Sequence, residues 1–135
     1  MSAANVKRLH PRVPATVLVV EDDVLTRFMV ADELRTSGFK VLEASTGADA
    51  ISILETLPVH LVFTDIYIPG SLGGLDVAEA ARGLHPAPHV ILTSGRLRAD
   101  DIPNVREFGP FVAKPYLLSR IVDLVRRMLD PTEGV

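Results

Sequence analysis

Five short runs of apolar and β-branched residues limit the folds open to this chain more than any other feature of its sequence. They span residues 16–22, 40–45, 61–66, 89–94 and 111–115. Each run is too short to be a helix, and the first is apolar on both of its faces. Runs of this kind are typical of strands that are buried on both sides in a parallel sheet.

Stretches with helical character separate these runs. Residues 24–36 form the first, which we expect to end near Gly38, and the second opens with a pattern like a capping box at Thr46 and Asp49. Residues 96–110 contain Pro103 and only a weak period, so any helix there should be short or distorted. Apolar residues recur at helical spacing in the third and last stretches: Val77, Ala80, Ala81 and Leu84, then Leu118, Ile121, Val122, Val125 and Met128.

Alternating strands and helices predict an α/β fold with a parallel sheet and helices on both of its faces. Five strands at this spacing fit the flavodoxin-like doubly wound arrangement, with strand order 2-1-3-4-5. We expect one domain over residues 16–130, preceded by a disordered arm over residues 1–15 and followed by a short tail over residues 131–135. In this fold ligands bind at the carboxyl ends of the strands.

Composition excludes several classes of protein. The chain has no cysteine, so it holds neither disulfides nor a thiolate nucleophile. Its longest apolar runs are too short to span a bilayer, and its N-terminus lacks the apolar segment of a secretory signal. The formal net charge of −3 argues against direct binding of nucleic acid. We therefore expect a cytoplasmic protein that contacts neither membrane nor nucleic acid.

Polar residues at the predicted strand ends provide a candidate site. Glu21 and Asp22 follow the first strand, Asp65 the third, Ser94 the fourth and Lys114 the fifth. Three neighbouring carboxylates repel one another unless a cation neutralises them, and oxygen ligands suit Mg²⁺. A lysine and a hydroxyl group suit phosphate oxygens. Together these groups are the parts needed to accept a phosphoryl group on an aspartate.

Taken singly, each of these residues has an ordinary structural interpretation. The acidic group before residue 24 is typical of a helix N-terminus, Asp65 of a turn cap, and Lys114 of a solvated surface. Their joint occurrence at four strand ends is what favours a functional site. By contrast, the four histidines show no spacing typical of metal ligands, and we interpret Gly70, Gly73 and Gly74 as turn glycines.

The ordered set of residues at the strand ends resembles the receiver domains of two-component response regulators, over residues 16–129. The resemblance implies that Asp65 is the phospho-acceptor, assisted by Ser94 and Lys114. It also implies a Mg²⁺ site formed by Asp22, Asp65 and the backbone carbonyl of Tyr67, with Glu21 acting through a water molecule. Glu21 departs from the family pattern, in which this position is more often Asp.

Further roles follow from the same resemblance. Ser94 and Phe111 correspond to the switch residues of the family, and the peptide bond between Lys114 and Pro115 corresponds to one that is usually cis. Tyr67 and Arg96 occupy the positions that flank the approach of water, and so they should control the lifetime of the phosphoryl group. Two departures remain: the loop over residues 69–75 is one residue longer than usual, and the segment before the fifth strand is atypical.

The predicted function is a phospho-accepting signalling switch that catalyses only its own phosphorylation and dephosphorylation. Its partners would be a histidine kinase or histidine phosphotransfer protein, an unknown downstream protein and, as an open alternative, a second copy of the chain. We expect a stand-alone receiver, with the excised receiver of a larger transcription factor or hybrid kinase as the alternative. Two rivals are a Mg²⁺-dependent aspartyl-phosphate hydrolase, which would need an acid where Tyr67 stands, and a receiver-like binding module that is never phosphorylated.

Overall fold

The structure is a computed structural model that describes residues 13–96 and 105–129. Its centre is a parallel sheet of five strands in the order β2-β1-β3-β4-β5, which confirms the predicted fold class. The strands are β1 (Thr16–Val20), β2 (Lys40–Ala44), β3 (Leu61–Asp65), β4 (His89–Ser94) and β5 (Phe111–Ala113).

Five helices are present in the described part of the chain: α1 (Val24–Thr36), α2 (Gly47–Thr56), α3 (Gly74–Arg82), α4 (Val105–Phe108) and α5 (Leu118–Leu129). The expectation of a short helix before β5 agrees with the four residues of α4, although Pro103 lies outside the described residues. Most of the predicted N-terminal arm and all of the predicted tail also lie outside them. None of the helices described has the length and apolar character needed to cross a membrane.

Side chains alternate between two cores, one on each face of the sheet. Along β1, Val17 and Val19 pack in the cluster that includes residues of α1 and α5, whereas Leu18 and Val20 pack in the cluster that includes residues of α2 and α3. This alternation follows from the two-residue repeat of an extended chain. Because both faces are covered, all five residues of β1 are buried, as the unbroken apolar run predicted.

Four strands end earlier than the apolar runs suggested. β1 stops at Val20 rather than residue 22 and β2 at Ala44 rather than residue 45. β3 stops at Asp65 rather than Ile66, and β5 at Ala113 rather than residue 115. At β1 the cause is helix initiation: the Asp23 side chain accepts a 2.8 Å hydrogen bond from the Thr26 amide and so starts α1. The acidic residues therefore lie in a turn beyond the strand, which we call the acidic turn (residues 21–23).

Local signals place the helix ends well, but the apolar residues predicted to share one face of α3 are only in part the residues that this helix buries. Gly38 has a φ of 101°, a value that favours glycine, and it ends α1 as expected. The Thr46 hydroxyl accepts from the Asp49 amide at the start of α2. In α3 the buried residues are Gly74, Val77, Ala78 and Ala81, whereas Ala80 is half-buried. Leu84 lies beyond the end of the helix and is also half-buried.

Candidate functional site

The predicted site residues meet in one cleft at the carboxyl edge of the sheet. Glu21 and Asp22 come from the acidic turn, Asp65 from the end of β3, Ser94 from the end of β4 and Lys114 from the residue after β5. The cleft has a volume of about 600 Å³. The parallel sheet brings these strand ends together although Glu21 and Lys114 are 93 positions apart in the chain.

Lys114 joins two of the carboxylates. Its ammonium donates a 2.7 Å hydrogen bond to Oδ2 of Asp65 and a 2.5 Å hydrogen bond to Oε1 of Glu21. Burial lowers the pKa of Lys114, but the hydrogen bonds to Asp65 and Glu21 outweigh burial and hold this pKa above its ordinary value. These contacts therefore favour the charged form of Lys114.

Three carboxylates form the acidic part of the site. Oxygen atoms of Glu21, Asp22 and Asp65 lie within 4.8 Å of one another. Glu21 and Asp65 are buried, whereas Asp22 is exposed at the mouth of the cleft. Burial raises the pKa of Glu21 more than its hydrogen bonds to Lys114 and to the Asp23 amide lower it. The set offers oxygen ligands only, with one open side.

The backbone around Asp65 holds this carboxylate in place. Its Oδ1 accepts a 3.1 Å hydrogen bond from the Tyr67 amide, while the next amide, that of Ile66, donates to the Thr93 carbonyl of β4. Gly74 lies against the same segment, because its amide donates to the Ile66 carbonyl and a Cβ there would collide with the carbonyl oxygen of Asp65. The chain beyond β3 therefore turns back closely under Asp65.

Of the remaining residues implied by the resemblance, Ser94 lines the cleft, whereas Phe111 does not. Ser94 is buried and its hydroxyl accepts from the Arg96 amide at 3.1 Å. Phe111 is half-buried and packs against the core cluster on the α2 and α3 side of the sheet. The peptide bond between Lys114 and Pro115 is cis.

Tyr67 and Arg96 face each other across the cleft. Both line it, and the guanidinium carbon of Arg96 lies 5.7 Å from the centroid of the Tyr67 ring. This distance is within the range of a cation–π contact. The contact connects the loop after β3 with the loop after β4, beside the exposed side of the acidic set.

The sequence analysis missed two residues that support the site, Arg27 and Glu43, and it assigned a third, Gly74, to a turn. Arg27 of α1 donates to the Glu21 carbonyl and pairs with Glu43 of β2. Gly74 is the first residue of α3 rather than a turn glycine. A glycine pair directly before an amphipathic stretch was a usable signal for Gly74, whereas no spacing rule connects Arg27 with a residue 16 positions away.

The geometry suits chemistry on a phosphoryl group. A carboxylate held by a backbone amide and a lysine presents a nucleophilic oxygen, and Lys114 and Ser94 are groups that hydrogen-bond to phosphate oxygens. Positioning and charge neutralisation provide most of the catalysis in such reactions, so a general base is not required.

Comparison with known proteins agrees with this geometry. A family model described as the response regulator receiver domain matches residues 17–126. The chain is 30% identical over 120 residues to an NtrX-like response regulator of Rickettsia felis, a match that covers 87% of this chain and 25% of that protein. It is also 33% identical over 121 residues to the sensor kinase CckA of Brucella abortus. This match covers 86% of this chain and 13% of the kinase. The chain thus spans a quarter or less of the length of these curated relatives.

A solved structure shows the same fold. The CheY-like receiver domain protein of Methanospirillum hungatei superimposes with a TM-score of 0.80 at 22% identity, over 90% of this chain and 98% of that one. Since the family model covers most of the chain and the strand order is that of this fold, the chain belongs to the receiver domain family of two-component response regulators.

Proposed function

We propose that this chain is a phosphoryl-accepting switch in which Asp65 takes a phosphoryl group from a phosphohistidine. The observation that carries the proposal is the Lys114 ammonium bound to Asp65 inside an acidic cleft. The donor would be a histidine kinase or a histidine phosphotransfer protein. In this proposal the chain turns over no other substrate.

The acidic set fits a magnesium ion. Asp22, Asp65 and the backbone carbonyl of Tyr67 would hold it, with Glu21 acting through a water molecule. Three carboxylates with oxygen atoms within 4.8 Å of one another are the kind of donor set that Mg²⁺ prefers, and the exposed side leaves room for its waters. When bound, the ion supplies positive charge that neutralises phosphoryl oxygens.

The transfer step then depends on the residues already described. A carboxylate oxygen of Asp65 forms the new bond to phosphorus as the bond between phosphorus and the donor imidazole breaks. The bonding pair leaves on the imidazole nitrogen, which takes up a proton from solvent water. Lys114 exchanges one of its carboxylate contacts for a phosphoryl oxygen, and the Ser94 hydroxyl binds a second one. Both residues thereby hold the product in place.

We also propose that the phosphoryl group changes the surface formed by α4, β5 and α5. Movement of Ser94 toward the phosphoryl group shifts the loop after β4, and Phe111 then turns inward from its half-buried position. This surface would control a downstream protein or a second copy of the chain. A local charge change is thus converted into a change of packing.

Labelling with acetyl phosphate in the presence of Mg²⁺ tests the assignment of Asp65. We expect intact mass spectrometry to show one added phosphoryl group on the parent protein, sensitive to hydroxylamine, and none on Asp65→Asn. Asp23→Asn is the matched control, because Asn replaces Asp equally well as a helix cap and Asp23 is a neighbouring acid in the same cleft. Labelling of Asp65→Asn at the parent level would refute the proposal.

The metal is tested separately. Excess EDTA should abolish labelling of the parent, and Asp22→Ala should lose Mg²⁺ binding and labelling together. We expect binding of the parent to be weak, on the order of millimolar, as is typical of an ion that keeps several waters. Unchanged labelling in EDTA would show that the reaction does not depend on a metal.

A further inference from the structure

The acidic turn is held through its backbone. The Glu21 amide donates to the Ala44 carbonyl at 3.0 Å, which extends the pairing of β1 and β2 by one residue. The Glu21 carbonyl accepts a 2.9 Å hydrogen bond from Nη1 of Arg27. In the described part of the chain, the exposed side chain of Asp22 makes no hydrogen bond of its own. The position of Asp22 therefore depends on how its backbone is held.

Arg27 is itself held in a fixed position. Its Nε lies 3.3 Å from Oε1 of Glu43, and only 18% of its side chain is exposed. The other oxygen of Glu43 binds Nη1 of Arg35 at 3.1 Å, and Arg35 also donates to the Val41 carbonyl. Glu43 thus connects two arginines of α1 to β2. Of these two, Arg27 is the one that contacts the acidic turn.

The position of the Glu21 carbonyl has a direct consequence for Asp22. The peptide unit between the two residues is planar, so a fixed carbonyl oxygen also fixes the direction in which the chain enters Asp22. Some groups do not bind the metal but hydrogen-bond to its ligands and orient them. Removal of such a group commonly lowers the affinity for the metal 10- to 100-fold. Arg27 contacts the peptide unit before Asp22 rather than the Asp22 carboxylate, so it would act on this ligand through the backbone.

We propose that Arg27 is a positioning residue, which holds the acidic turn in the conformation that binds Mg²⁺ and so sets the affinity of the site for the ion. This inference rests on the proposed function, because it assumes that Asp22 is a Mg²⁺ ligand. It assigns Arg27 no contact with the ion or with the phosphoryl group.

The test is a titration of the full chain with MgCl₂, followed by the amide signals of residues 21–23 and 65–67 in two-dimensional NMR. We expect Arg27→Gln to raise the dissociation constant for Mg²⁺ about tenfold. Arg35→Gln is the matched control, because it removes the other partner of Glu43 and a bond to a backbone carbonyl but leaves the Glu21 carbonyl bound. It should stay within twofold of the parent.

A second measurement separates positioning from general destabilisation. The labelling rate of Arg27→Gln with acetyl phosphate should approach that of the parent at saturating Mg²⁺, with only the half-saturating concentration raised. Arg27→Lys keeps the charge and one donor group, so its dissociation constant should lie between those of the parent and Arg27→Gln. If Arg27→Gln does not fold, the dissociation constant of Arg27→Lys for Mg²⁺ tests the inference by itself.

Two results would overturn the inference: a dissociation constant for the Arg27 variants within twofold of the parent, or an equal loss of affinity in Arg35→Gln. Failure of the proposed function looks different. In that case the parent itself would show no Mg²⁺-dependent signal changes in the acidic turn and no labelling of Asp65.

Discussion

Gly74 is the position at which a single methyl group should disturb the site most. It is the first residue of α3, and its Cα lies against the backbone that leaves β3. A Cβ at this position would overlap the Asp65 carbonyl oxygen and lie 2.7 Å from the Cα of Ile66. Ordinary contacts between carbon atoms are about 3.5–4.0 Å long. Because the atoms in the way belong to the backbone, no side-chain rotation can relieve the overlap.

The expected cost follows from two opposing effects. Alanine gains about 1 kcal/mol over glycine within a helix. Overpacking costs about 1–3 kcal/mol and occasionally more, and a collision with backbone atoms belongs at the upper end or above it. We therefore expect Gly74→Ala to lower the free energy of unfolding by about 2 kcal/mol. The backbone of Asp65 must shift to admit the methyl group, so labelling with acetyl phosphate should slow as well.

Gly83→Ala provides the matched control at the other end of the same helix. Gly83 has a φ of −79°, and the nearest atoms to a Cβ there are 3.6 and 3.9 Å away, which is ordinary contact. This substitution should raise the free energy of unfolding by about 0.4–1 kcal/mol, because alanine has fewer conformations to lose from the unfolded chain. Labelling of Asp65 should be unchanged.

Urea unfolding followed by far-UV circular dichroism measures both variants. With a slope of about 1–3 kcal/mol per M, a difference of about 3 kcal/mol separates their midpoints by roughly 1–3 M. The free energy of unfolding of Gly74→Ala could instead lie within about 0.5 kcal/mol of the parent value, with labelling at the parental rate. That result would mean that α3 shifts away from the Asp65 backbone at little cost. The close approach of Gly74 to Asp65 would then not be a constraint on the site.

Three further outcomes are expected. Tyr67→Asn combined with Arg96→Glu removes the cation–π pair that lines the cleft. Hydrolysis of the phosphorylated protein, followed by mass spectrometry, should then be roughly tenfold faster, which corresponds to a barrier about 1.4 kcal/mol lower. An unchanged rate would exclude shielding by this pair. Burial raises the pKa of Tyr116 to about 12, above its ordinary value of 10.0, so its contribution to stability is complete below pH 10 and is lost as the pH rises toward 12. Urea midpoints of the parent should therefore fall more steeply than those of Tyr116→Phe between pH 10 and 12, and parallel curves would contradict this assignment. Addition of beryllofluoride and Mg²⁺ should change amide exchange around Phe111 and in residues 116–121, and no change there would remove the proposed output surface.

Much of the architecture was predictable because its signals are local. The run over residues 17–20 is apolar without a break, which is the pattern of a strand covered on both faces. Asp23, Thr46 and Gly38 mark helix ends through contacts or backbone angles within a few residues of themselves. The alternation of strands and helices fits the observed strand order, and the parallel sheet brings the strand ends, and with them Asp65 and Lys114, to one edge.

The sequence by itself therefore determined the fold and which polar residues lie at the strand ends, while the tertiary structure decided which atoms meet. Lys114 binds both Asp65, 49 positions away, and Glu21, 93 positions away, and this choice depends on the packing of five strands. Arg27 reaches Glu43 only because α1 lies beside β2. Such contacts carry no local period, since they depend on the distance between elements that are assembled from distant parts of the chain. Gly74 belongs with them, because its need for a missing side chain arises from the backbone of Asp65 and Ile66 beneath it.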